Sequence, residues 1–288
     1  MIDSIRSKVF PKRKKKKNIN WIATILVILV SLIILFPLYI TISIALKSPQ
    51  ELAQSVLAPP LRFHWENFAE AMEVSNFWRS LRNSALVSIP VIFLTVLSNS
   101  MVCYAIARNM NNRFFKFLYF YFVSAMFVPF PIIMLPLVKQ MSGYGLTDNL
   151  VGLIIIYIVY SLPLNTLIYV GYIKTIPKSL EEAAIIDGGS IWQIFWSVIF
   201  PLLKPINATV AILAGLFSWN SFMLPLVMIA SRKLMTLPLA QYAFQSQYSI
   251  DFNLAFASYL LALSPMLIFY IISQKWVISG VLRGSLKQ

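Results

Sequence analysis

The chain has 288 residues, of which 59% are hydrophobic and 12% charged, with a formal net charge of +14. A soluble domain is about 45–50% apolar and about 25% charged, so most of this chain is solvated by lipid rather than by water. A single cysteine, Cys103, and a single histidine, His64, exclude an intrachain disulfide, a cysteine-cluster metal site and any paired-histidine metal or triad chemistry, and nothing in the sequence signals an enzyme.

The N-terminal tail, residues 1–20, holds Arg6, Lys8, Lys12, Arg13 and Lys14 to Lys17. A basic tail directly before an apolar segment reads as a cytosolic anchor facing anionic lipid, which makes nucleic-acid binding the weaker explanation of the charge. Six apolar segments follow, at 21–46, 84–107, 114–138, 150–172, 206–229 and 253–274. A helix of about 20 residues crosses a bilayer core of about 30 Å, so six spans are expected. The first is too long for a signal-peptide core and lacks a clear small-residue cleavage site, so it is expected to be retained.

With both termini inside, the cytosolic segments carry 17 lysines and arginines and the outer segments 7, which favours an N-in, C-in arrangement. All ten acidic residues fall outside the expected spans. An ion-coupled carrier commonly keeps an intramembrane carboxylate, because such a costly charge persists where function needs it. Its absence argues against a proton- or sodium-driven symporter.

Two connections are long. The outer one, 47–83, is polar and charge-balanced. The inner one, 173–205, exceeds the length of a simple helix connection, and its middle, 191–200, is apolar but too short to span. Within it, Ser179 and Glu182 form an S-x-x-E pattern that predicts a capping box and a helix from about Leu180. Ala183 and Ala184 keep that helix thin, and Gly188-Gly189 stops it. Ser190 is placed to cap a second helix over 191–198, and Pro201 and Pro205 bracket the start of the fifth span. A thin helix, a sharp turn and a second short helix suit either docking into a groove of another protein or sealing the bundle as a re-entrant hairpin; the spacing leaves both open.

Glu182-Ala183-Ala184, then Asp187-Gly188, then Phe200-Pro201 resembles the "EAA" loop of binding-protein-dependent ABC importer permeases. Further segments resemble the sugar-uptake branch, on the side of the smaller permease of maltose-type transporters: 104–108 (YAIAR), 145–149 (GLTDN), 219–225 (WNSFMLP), 236–239 (TLPL) and 280–287 (GVLRGSLK). The resemblance implies an all-α membrane protein with the type I importer permease fold, a transmembrane domain over 21–288, and coupling helices in the 173–205 loop. It implies that Glu182, Ala183, Ala184, Asp187 and Gly188 serve coupling to an ATPase. For Glu182 a local capping role stands beside the inter-subunit one. Asp187 either satisfies the turn or faces the partner, and Gly188 serves the turn.

Ser218, Trp219, Asn220 and Ser221 lie in the expected fifth span, where polar side chains are candidates for a substrate pathway; the alternative is interhelical hydrogen bonding. The stretch 280–285 is not a phosphate loop, because its glycine spacing is wrong and no lysine stands in place. The resemblance therefore implies no cofactor in this chain, with ATP and Mg bound by a separate ATPase. It also implies a second homologous permease, two ATPase subunits, an extracytoplasmic solute-binding protein and a sugar or oligosaccharide as substrate. The remaining alternatives are a permease of the same architecture for an amino acid, peptide or phosphate, an ion-coupled secondary carrier, and a membrane scaffold.

Overall fold

A computed structural model describes residues 21–244 and 251–285, with side chains omitted at 242, 243, 269 and from 272 on. The basic tail and residues 245–250 lie outside the described residues. So do the last two residues of the 280–287 segment, Leu286 and Lys287. Every regular element among the described residues is helical.

Helix α1 (Trp21–Ala45) is apolar on all sides and exposed along most of its length, as a helix facing lipid is. Only its last turn is buried. There the carbonyls that a helix end leaves unpaired are claimed by two asparagines. Asn67 Nδ2 donates to the carbonyls of Ala45 and Lys47, both at 2.9 Å, and Asn253 Nδ2 donates to those of Ile44 (3.1 Å) and Lys47 (2.7 Å). Lys47 itself is buried, and its Nζ donates to the carbonyls of Ser55 and Val56. The polar 47–83 connection is thus folded onto the bundle through α2 (Pro49–Gln54), closed by a Ser48–Glu51 capping box, and α3 (Glu66–Val74).

Helix α4 (Phe77–Arg108) starts seven residues before the expected segment and takes Arg79 and Arg82 onto its first turns. It buries a stripe of small polar residues, Ser80, Ser84, Ser88, Thr95, Asn99 and Ser100, against its neighbours. Cys103 is fully buried on the same helix, as a small hydrophobe would be. Helix α7 (Leu150–Ile173) is a continuous apolar helix with Asn149 as its cap.

Two expected spans are broken. The segment expected at 114–138 divides into α5 (Arg113–Ser124), extended by a short turn to Phe127, and α6 (Phe130–Gly143), with a bend of 110° between them. Pro129 fixes its own φ and pushes Val128 out of the helical region, and Pro131 removes a further amide donor. The segment expected at 206–229 divides into α10 (Lys204–Asn220) and α11 (Met223–Met228). Pro225 has no N–H to give the carbonyl of Ser221, and its ring crowds that carbonyl, which favours a break there. The stretch 191–202, α9, meets α10 at 77°. A short α12 (Leu237–Ala240) precedes the final helix, α13 (Phe252–Ser285). By length and composition, α1, α4 and α7 can each cross a membrane, and each bent pair can serve as one further span.

Candidate functional site

The 173–205 connection folds as a helical hairpin. Helix α8 (Ser179–Ile186) begins one residue earlier than the capping pattern predicts. Lys178 is its cap residue and gives no side-chain hydrogen bond, so the Ser179–Glu182 capping box does not form. With Ser179 already inside the helix, its hydroxyl no longer faces the free amides of the first turn.

The shift also decides which glutamate turns inward. Glu182 is exposed, whereas the Glu181 side chain is only 12% exposed and reaches the end of α4. Arg108 Nε donates to Glu181 Oε1 at 2.7 Å, Tyr104 Oη donates to Oε2 at 2.8 Å, and Arg108 Nη2 donates to the carbonyl of Ile176 at 3.1 Å. Both carboxylate oxygens and two faces of the guanidinium are therefore occupied, the geometry in which such a pair is strong. Tyr104 and Arg108 stand one helical turn apart on α4, which is why one glutamate can reach both.

The turn after α8 follows the glycine signal. Gly189 N–H donates to the carbonyl of Ala184 and Gly188 N–H to that of Ile185, both at 2.9 Å, which is a Schellman closure. Gly188 has φ +82°, and Asp187 is the exposed cap residue with no side-chain contact in the turn. Ser190 then forms the predicted cap on α9, with Gln193 returning the bond to its amide. The second helix runs to Leu202 rather than 198, through a wider turn at Phe195–Ile199. That turn seats Phe195 beside Tyr104, ring centroids 5.5 Å apart, within a core that includes Ile106, Tyr169, Ile173, Ile194, Ile199 and Leu203. The other edge of the hairpin is apolar and open: Ile185, Ile186, Ile191 and Trp192 are all at least 60% exposed.

The four pathway candidates are not brought together. Ser218 is buried and its hydroxyl donates to the carbonyl of Ala214 one turn back. Ser221 ends α10 in an extended conformation. Trp219 and Asn220 line a cavity of about 250 Å³ with Leu237, Pro238, Gln241 and Tyr259. Two segments distant in sequence, 219–220 and 237–238, thus share one wall. A larger cavity, of about 820 Å³, lies between α6, α7 and α10; its polar lining residues, Gln140, Ser161 and Asn165, carry no sequence motif that singles them out.

A model of the family described as "Binding-protein-dependent transport system inner membrane component" matches residues 99–283, which include the whole hairpin and both cavities. The chain belongs to that family. Among curated proteins it is similar to the multiple sugar-binding transport system permease protein MsmG of Streptococcus mutans, 36% identical across 96% of this chain and all of the relative. It is also similar to a probable starch degradation products transport system permease protein of Thermoanaerobacterium thermosulfurigenes, 32% identical across 93% and 97% of the two chains. The melibiose/raffinose/stachyose import permease protein MelC of Bacillus subtilis is 31% identical across 92% and 96%. Among solved structures, the fold matches a chain of a bacterial ABC transporter involved in the import of the acidic polysaccharide alginate. The TM-score is 0.77 at 21% identity, covering 93% of this chain and 99% of the other.

This inner membrane component carries a second anchor at the far end of the bundle. Asp148 takes a left-handed backbone, φ +50°. Its Oδ1 accepts the amides of Ala230 (3.0 Å) and Ser231 (2.8 Å), its Oδ2 accepts the Ser231 hydroxyl, and its own amide donates to the carbonyl of Met228 at 2.7 Å. The 145–149 segment is thereby stitched to the end of α11. The Ser231 hydroxyl, then the amides of Ser231 and Ala230, hold the Asp148 carboxyl below its ordinary 3.8. Because the folded value lies below the unfolded one, the stabilisation is whole above the ordinary value and is lost as the pH falls below it. Asp148→Ala is expected to lower the melting temperature of the detergent-solubilised protein by about 3 °C. Asp148→Asn is expected to flatten the fall in melting temperature between about pH 5 and pH 3. Scanning fluorimetry across that range reads both; identical profiles for variant and wild type would refute the anchor.

Proposed function

We propose that the chain is the permease subunit of an ATP-driven importer that carries a sugar or oligosaccharide across the bacterial cytoplasmic membrane. One observation carries this reading: a hairpin with an open apolar edge, braced by Glu181 and Arg108, on a chain without a phosphate loop of its own. Such an edge suits a groove on an ATPase, and Glu182, Ala183 and Asp187, all exposed, lie on the same hairpin, while Ala184 packs inward and Gly188 shapes the turn. ATP and Mg belong to that partner. The relatives named for sugar and oligosaccharide transport support the substrate class.

In this reading α5 with α6 counts as one span and α10 as another, α9 stays with the hairpin, and α13 supplies the sixth beside α1, α4 and α7. The excess of basic residues places both termini and the hairpin in the cytosol. A second, homologous permease completes the pathway, two ATPase subunits bind below, and a solute-binding protein delivers sugar from outside. Closure of the ATPases pulls the hairpins together and shifts the bundle from inward- to outward-facing, a population shift between two states.

The test is uptake in proteoliposomes that contain this chain, its partner permease and the ATPases, with the binding protein outside. Oligosaccharide accumulation that requires both ATP and the binding protein is expected. Uptake by this chain alone under an ion gradient, or no uptake of any sugar, would overturn the reading.

A further inference from the structure

The 820 Å³ cavity between α6, α7 and α10 falls in the size range of small-molecule sites, about 300–1,000 Å³. Its lining is mainly aliphatic, and set into it are an aromatic pair and a few uncharged hydrogen-bonding groups. Tyr160 and Phe217 lie parallel, 7° between planes and 5.7 Å between centroids. Phe130 meets the edge of Tyr160 at 89°, and Tyr157 meets Phe217 at 87°, so the pair is held from both sides. Gln140, Ser161 and Asn165 supply the polar positions. Ser161 is fixed in place, its Oγ accepting from Asn99 Nδ2 at 3.2 Å and donating to the carbonyl of Ile158 at 2.8 Å.

Asn165 gives the second, independent observation. The residue is 3% exposed, and its Nδ2 is buried without a hydrogen-bond partner. Of the five buried side-chain polar atoms left unpaired among the described residues, it alone belongs to a residue lining this cavity. A buried amide donor without an acceptor is a standing cost that leucine, of similar volume, would avoid. A rotation of the side chain would bring this donor to the cavity that the residue lines, where an arriving acceptor would satisfy it.

The absence of charge narrows the class. Among the described residues, no Asp, Glu, Lys, Arg or His lines the cavity, so a carboxylate, phosphate or ammonium entering it would shed water with no counter-charge from them to meet it. A sugar ring has what the lining asks for: a C–H face for the aromatic pair, and hydroxyls that accept from Asn165 and Gln140 and donate to Ser161.

We infer that this cavity is a transit site for a neutral saccharide, with Asn165, Gln140 and Ser161 as its hydrogen-bonding groups and Tyr160–Phe217 as its stacking face. The inference rests on the sugar-import reading and adds to it a site in this subunit and a preference for uncharged sugars. It adds to the pathway candidates at 218–221, where Ser218 is tied to its own helix, the part of α10 that carries Leu213, Ala214 and Phe217.

The importer, reconstituted with its partner subunits, is tested with tritiated raffinose, maltotriose, arabinotriose and diacetylchitobiose and with an oligoguluronate. Uptake of at least one neutral sugar, without the oligoguluronate, is expected. Asn165→Leu is expected to cut that uptake at least tenfold, with ATPase activity stimulated by the loaded binding protein kept within about twofold. Its melting temperature is expected to hold or rise, since the amide has no bond to lose; a purely structural amide would move stability and leave transport alone. In a Cys103→Ala background, labelling of Ser161→Cys by a hydrophilic maleimide is expected to slow at least fivefold when the transported sugar is present. A wild-type importer that takes up no sugar removes the sugar-import reading and this site with it. Sugar uptake unchanged in Asn165→Leu, or labelling that sugar does not slow, overturns the site alone. Uptake of the oligoguluronate overturns the neutral preference.

Discussion

Replacing Arg108 with alanine is expected to reduce ATP-driven sugar uptake at least tenfold while the partner ATPases go on hydrolysing ATP. Arg108 and Glu181 are 11% and 12% exposed, and removing one member of such a pair leaves the other charge buried and unmatched, at a cost of about 3–5 kcal/mol. The hairpin keeps its own turn and caps, and its Tyr104 and Phe195 contacts with α4, but it loses the charged tie to α4, through which we propose that a push on α8 reaches the bundle. Glu181→Gln keeps an acceptor for Tyr104 and loses the charge, so it is expected to fall between wild type and Arg108→Ala. The measurement is ATP hydrolysed per sugar accumulated, in proteoliposomes, beside the melting temperature of the purified complex. A variant that melts earlier yet keeps the wild-type ratio would show that the pair stabilises the fold without transmitting force.

Gly188→Val is expected to act almost as strongly. At φ +82° an L side chain costs about 1–2 kcal/mol, and a β-branched one more. The adjacent Gly189 is needed for a separate reason: a Cβ there would stand 2.8 Å from the carbonyl oxygen of Ala184. The strain is relieved by rotating α8 relative to α9, which moves Ile185 and Ile186 away from Ile191 and Trp192 and splits the apolar edge. Gly188→Asn, the residue most tolerant of this backbone after glycine, is expected to keep most of the uptake that valine loses. Equal transport by both variants would show that the handedness of the turn is irrelevant.

These two positions also mark what the sequence made legible. Gly188-Gly189 and Ser190 were readable because turn and cap chemistry is local: it depends on residues within one helical turn. The identity of the inward glutamate was not. Successive side chains on a helix point about 100° apart, and the partner of the inward one, Arg108, stands on a different helix. The signal that would have found it was already in view, since Tyr104 and Arg108 stand four apart in a segment singled out on other grounds. The broken spans were hidden for a different reason. An apolar run gives a continuous hydropathy signal whether or not Pro129, Pro131 and Pro225 permit a continuous helix, so length was legible and straightness was not. The large cavity had no linear signature, because Gln140, Asn165 and Phe217 come from three helices whose packing alone brings them together. Family membership, in contrast, was legible from the EAA loop, because that loop is contiguous.

Helix α4 has 32 residues, a rod of about 48 Å. At one end Arg108 holds the hairpin. At the other, Asn83 Nδ2 donates to the carbonyls of Lys233 and Met235, and Ser84 Oγ accepts the amide of Leu237. The two ends of the molecule are therefore clasped by one element, whose single proline is Pro90. In the proposed reading, a stroke delivered at Arg108 would be carried to the far rim by this one element.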